Sequence, residues 1–141
     1  MGGCFNKIEV NSSIDEVWRT LSDFHDMSWA PNVITSVGKV GDKAGNEVGA
    51  KRILNDAFHE TLAEVDAANY SISYTIDDGP GPVAKGAVAN YVGKIKLSAT
   101  DDGTLVEWSS TFESPNDSEV SDFCNPIYVG LLGDLKMTLE R

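Results

Sequence analysis

Positive charge is scarce in this chain. Eleven lysines and arginines stand against 22 aspartates and glutamates, for a formal net charge of −11 and a pI near 4.4. Nucleic acids and anionic membranes need a basic surface, so neither is expected as a partner. Cysteine is nearly absent. Cys4 and Cys124 sit near opposite ends; a pairing between them stays open, but they make no disulfide framework and no metal cluster. His25 and His59 are isolated, and no Ser-His-Asp set, phosphate-cradling glycine loop or metal-spaced ligand group can be assembled. No metal and no cofactor are therefore expected. No apolar run approaches the ~20 residues of a membrane span. The opening Met1-Gly2-Gly3-Cys4 has no signal-peptide core, and Asn6 stands where a myristoylation motif asks for Ser or Thr. The expectation is one soluble, cytoplasmic domain over residues 1–141. Nothing in the sequence sets an oligomeric state.

What the chain does have is a long amphipathic segment at its end, Asn116 to Arg141. Val120, Phe123, Cys124, Ile127, Tyr128, Leu131, Leu132 and Leu135 recur at helical spacing and form one broad apolar face. Asn116 is placed to cap it, with Glu119 completing a capping box. Pro126 falls inside the pattern without shifting its phase, which predicts a kink rather than a stop. Gly130 and Gly133 leave thin spots on the helix.

Before this helix the pattern is that of short strands. Cys4 to Val10 alternates, and Ser13-Ile14-Asp15-Glu16 opens a short helix carrying Val17, Trp18 and Leu21. A compact linker from Asp23 to Pro31 follows. Strands are predicted over Val33 to Val40, Gly49 to Leu54, Phe58 to Val65, Tyr70 to Ile76, Val88 to Ala99 and Thr104 to Phe112. Short turns between consecutive strands imply an antiparallel meander. The fold class is α+β: a seven-stranded sheet curled around the last helix, with one or two short helices after the first strand.

The inward faces are unusual for a plain core. Tyr74, Tyr91, Trp108 and Ser110 carry polar groups toward the space under the helix, and Gly93 leaves a gap among them. Two readings stay open: a ligand-sized cup with a few placed polar groups, or a filled core. A turn centred on Asp56 would set Arg52 directly opposite Glu60. Facing the cup, that pair could move a proton and hold a developing negative charge; facing water, it is a surface ion pair of little worth. His59, of opposite parity, is expected to face solvent.

Taken in order, these motifs resemble the START-like, birch-pollen-allergen-like and polyketide-cyclase-like superfamily (SRPBCC) and its helix-grip fold. The likeness is carried by Ser12-Ser13-Ile14-Asp15-Glu16-Val17-Trp18, Asp23-Phe24, Trp29-Ala30-Pro31, Gly49 with Arg52, and Glu60-Thr61-Leu62 with Asp66. Tyr74, Asn90-Tyr91, Val106-Glu107-Trp108-Ser109 and the closing helix complete it. The resemblance implies a hydrophobic cavity between sheet and helix; members bind lipids, sterols, hormones and polyketides, and some catalyse cyclisation, dehydration or isomerisation. By position, Arg52, Glu60 and Tyr91 resemble the Arg, Glu and Tyr of a plant synthase of this superfamily. Plant hormone receptors of the superfamily share the Glu and Tyr, but their anion-holding Lys is replaced here by Thr35, and Asn55-Asp56-Ala57 is shorter than their gate.

The leading expectation is a protein that binds a hydrophobic or amphipathic small molecule, lined by Tyr74, Ile76, Tyr91, Trp108, Ser110, Phe112, Phe123, Ile127 and Leu131. The alternative is a cyclase, dehydratase or isomerase with Glu60 as acid/base, Arg52 as electrostatic stabiliser and Tyr91 as proton donor or positioner. A third reading gives the apolar helix face to a protein partner.

Overall fold

A computed structural model describes residues 1–140. Strand β1 (Gly2–Val10) leads into helix α1 (Ile14–Leu21). Six further strands follow: β2 (Val37–Val40), β3 (Lys51–Leu54), β4 (Phe58–Asp66), β5 (Ser71–Asp78), β6 (Ala89–Ala99) and β7 (Thr104–Glu113). Helix α2 (Asp117–Leu139) closes the chain. The strands form one antiparallel sheet in the order β1-β7-β6-β5-β4-β3-β2, and α2 packs along its concave face.

Local chemistry sets the elements. Ser13 Oγ accepts the Glu16 amide at 3.2 Å to start α1, and Asn116 Oδ1 accepts the Glu119 amide at 3.2 Å to start α2. Glu119 answers on the Asn116 side-chain amide rather than its backbone, because Ser114 Oγ already takes the Asn116 N–H at 3.0 Å. Helix α2 runs through Pro126 as one element. Of its expected apolar face Val120, Cys124, Tyr128, Leu131, Leu132 and Leu135 are buried and Phe123 and Ile127 half-buried; Asp134, which the apolar pattern does not reveal, is buried with them.

Three expectations change. The second strand begins at Val37, not Val33, because Asn55 captures the preceding segment: its Nδ2 donates to Val33 O at 3.0 Å and its Oδ1 accepts from Thr35 N at 2.7 Å. The strand predicted from Tyr70 begins at Ser71, without Tyr70. Tyr70 caps a 3-10 turn (Ala67–Asn69) in the left-handed region at φ 52°, and its hydroxyl donates to Asp15 at 2.7 Å. Strict alternation along the fourth strand predicts Glu64 on the face of Glu60 and Leu62, but a register shift in β4 falls between Leu62 and Glu64 and leaves Glu64 exposed.

The linker of residues 22–36 forms turns rather than a second helix, and it is pinned from two sides. On α2, Asp134 accepts from the backbone and side-chain amides of Asn32 at 2.8 and 2.9 Å, and Thr138 donates to Trp29 O at 2.9 Å. On the sheet, Arg52 and Asn55 hold it. A segment without regular structure thereby becomes one wall of the interior.

Candidate functional site

Asn55 and Asp56, both at positive φ, turn β3 into β4 and set Arg52 directly across from Glu60. Both side chains point inward and are 6% exposed. Arg52 Nε donates to Glu60 Oε1 at 2.8 Å, and Nη2 lies 2.6 Å from the same oxygen. Arg52 Nη1 reaches the linker, donating to Phe24 O at 2.9 Å and Met27 Sδ at 3.4 Å, while the guanidinium covers the Phe24 ring at 3.7 Å. Glu60 Oε2 takes no hydrogen bond among the described residues. Burial raises the Glu60 pKa above its ordinary range, against the lowering pull of Arg52.

The pair stands on the wall of a narrow cleft between sheet and α2. Tyr74 and Trp108 continue the sheet wall, and Cys124, Tyr128 and Leu131 come from the helix. Met27 and Ile34 of the linker close a third side. Ile34, Phe58, Ile76 and Ile127 are only half-buried and mark the mouth. The remaining void is about 30 Å³, room for one or two waters. Aromatic rings therefore fill most of the cup: Tyr74 meets Trp108 edge to face at 6.4 Å, and Trp108 meets Tyr128 at 5.6 Å.

Of the residues proposed from sequence, Arg52, Glu60, Tyr74, Ile76, Trp108, Ile127 and Leu131 come together on this cleft. Tyr91, Ser110, Phe112 and Phe123 do not line it. The Trp108 and Tyr128 rings close that end, and Tyr91 packs on Phe112 at 5.5 Å with its hydroxyl bonded to that of Tyr128. Phe123 stacks on Phe58 at 6.3 Å. Ser110 Oγ lies beside the two tyrosine hydroxyls, buried and without a well-formed hydrogen bond. Met27, Ile34, Leu54, Phe58, Cys124 and Tyr128 also line the cleft and are not among the site residues named from sequence. Cys124, Tyr128 and Leu131 are spaced to share a helix face, a signal the sequence carries; the two linker residues have no such signature.

Burial holds the Tyr74, Tyr91 and Tyr128 phenols well above their ordinary pKa, so all three keep their protons near neutrality. Burial likewise pushes the Cys124 thiol up to about 11, against a lowering hydrogen bond from Tyr91. At pH 7 only about one such thiol in ten thousand is ionised. Native protein is expected to leave both Cys4 and Cys124 unmodified by an aromatic disulfide reagent at pH 7, and to release two equivalents once denatured. Rapid labelling of the native fold is the contrary result. Among the described residues no group of three His, Cys, Asp or Glu side chains could hold a metal ion. No helix there is long and apolar enough to cross a membrane.

The chain is similar to a solved protein from Nitrosospira multiformis, at 40% identity and TM-score 0.94, covering 97% of this chain and 95% of that one. It is similar to the protein XoxI from Bacillus cereus, at 25% identity and TM-score 0.80, covering 99% and 96%. Ara h 8.0201, a Bet v 1-like allergen, shares the fold at 19% identity and TM-score 0.78, over 99% and 98% of the two chains. No curated protein matches by sequence. The family model described as "Polyketide cyclase / dehydrase and lipid transport" matches residues 6–140. That match along nearly the whole chain, on a helix-grip fold, places this protein in the polyketide cyclase/dehydrase and lipid transport family of the SRPBCC superfamily.

Proposed function

We propose that this protein holds a small, largely apolar molecule in the cleft between the sheet and α2, with the Arg52–Glu60 pair as its polar wall. The observation that carries this reading is the position of the pair. Two charges taken out of water give back little net stability, and apolar residues of similar volume would serve a core as well or better. An ion pair set beside a void, with one carboxylate oxygen unpaired, is better accounted for by a ligand than by folding. Room comes from the mouth, where Ile34, Phe58 and Ile127 are half-buried and can move aside more readily than the packed interior.

A second reading makes the same cleft catalytic, with Glu60 as acid/base and Arg52 stabilising negative charge. The raised Glu60 pKa favours it. Tyr91 fits it poorly as a proton donor, since its hydroxyl is engaged by Tyr128 beyond the cleft.

Native mass spectrometry of protein purified gently from its own host, set against the denatured mass, is expected to show a stoichiometric organic adduct. Glu60→Gln then separates the readings. A binder keeps its affinity for a neutral ligand within a few-fold, whereas an enzyme dependent on that proton loses turnover by ~10²-fold or more. An empty protein that no apolar probe shifts in melting temperature would overturn both.

A further inference from the structure

The cleft has unequal polar valences. Among the described residues Arg52 is the one cation on its wall, and protein atoms take four of its five N–H groups: two point to Glu60 Oε1, one to Phe24 O and one to Met27 Sδ. One face of the guanidinium is covered by Phe24. Little is left to receive an anion. Glu60 Oε2, by contrast, accepts nothing among the described residues, and the Glu60 side chain lines the cleft. Tyr74 supplies the complement. Its hydroxyl oxygen accepts the Trp108 indole N–H at 2.9 Å, while its own proton has no acceptor among the described residues. Glu60 and Tyr74 line the same cleft, and the Arg52 guanidinium that Glu60 holds lies 5.6 Å from the centre of the Tyr74 ring.

We infer that the cleft selects a neutral molecule whose apolar body ends in a hydroxyl, donating to Glu60 Oε2 and accepting from Tyr74, and that it rejects the corresponding carboxylate. This rests on the ligand-binding reading above and narrows it. A carboxylate would face Glu60 with no free cation to hold it, and a hydrocarbon would leave the Tyr74 proton and Glu60 Oε2 unpaired. Both arrangements leave buried polar groups without partners, which is how a site rejects an analogue most strongly.

The test uses three matched probes, hexan-1-ol, hexanoate and hexane, titrated at pH 8 into isotopically labelled full-length protein. The indole N–H resonance of Trp108 reports directly, since that proton is bonded to Tyr74. Hexan-1-ol is expected to shift it and to bind at least tenfold more tightly than hexanoate and severalfold more tightly than hexane. Tyr74→Phe should erase most of the advantage over hexane while hexane itself still binds. Glu60→Gln, which leaves Arg52 facing a neutral partner, should raise hexanoate affinity about tenfold. Hexanoate binding as well as the alcohol, or an alcohol preference unmoved by either variant, overturns this inference and leaves the cleft a binding site. If none of the three probes moves the resonance, the ligand-binding reading fails as well.

Discussion

Replacing Arg52 with methionine is expected to lower stability by about 3–5 kcal/mol, because it strands the Glu60 carboxylate in the interior. It also removes the hydrogen bonds to Phe24 and Met27 that tie the linker to the sheet. For a domain of this size the loss corresponds to a melting temperature lower by roughly 10–15 °C. The effect carries a pH signature. Arg52 supplies both lowering influences on Glu60, through its charge and its hydrogen bond, so without it the carboxyl pKa rises further above 4.5. A raised carboxyl pKa means the folded state binds a proton that the unfolded chain has released. The stability it confers is therefore greatest near and below the unfolded pKa and is lost as pH rises through the folded one. Urea denaturation at pH 5 and pH 8 should show Arg52→Met closer to the parent at pH 5. Adding Glu60→Leu should recover most of the loss at pH 8. A deficit equal at both pH values, or under about 1 kcal/mol, would show that the pair is wet.

Gly93→Ala is expected to cost about 3 kcal/mol, at the upper end of overpacking penalties. Gly93 pairs with Tyr74 across β5 and β6, and a methyl group there would run into the far edge of the Tyr74 ring. That edge cannot swing clear. Tyr74 is 2% exposed, its hydroxyl is held by Trp108, and its ring lies between Trp108 and Phe24. The check is a double-mutant cycle in urea. In a Tyr74→Ala background the methyl group has space to occupy, so the cost of Gly93→Ala should fall below about 1 kcal/mol. Equal costs in both backgrounds would mean that backbone effects, rather than the ring, require glycine at this position.

Much of this architecture is legible without coordinates because it depends on short-range rules. Alternation along β7 places Val106, Trp108, Ser110 and Phe112 inward, and all four are buried. Spacing along α2 marks the buried face from Val120 to Leu135, and the turn at Asp56 sets the Arg52–Glu60 register. Tyr70, Glu64 and Val33 depart from pattern where a left-handed turn, a β-bulge and a side-chain capture intervene. Each overrides a periodic signal over one to four residues, too short a stretch for periodicity to register.

The amino-acid order by itself determined the element sequence, the inward faces and the opposition of one arginine to one glutamate, since those follow from periods of 2 and 3.6 residues and from turn geometry. Whether that pair is dry, and how much room remains beside it, only the tertiary structure decided. Its dryness depends on a linker whose conformation is imposed by Asp134 and Thr138 more than a hundred residues away. The size of the void depends on how Trp108, Tyr74 and Tyr128 meet across two layers. Packing volume is a sum over residues distant in the chain, and no local period encodes that sum.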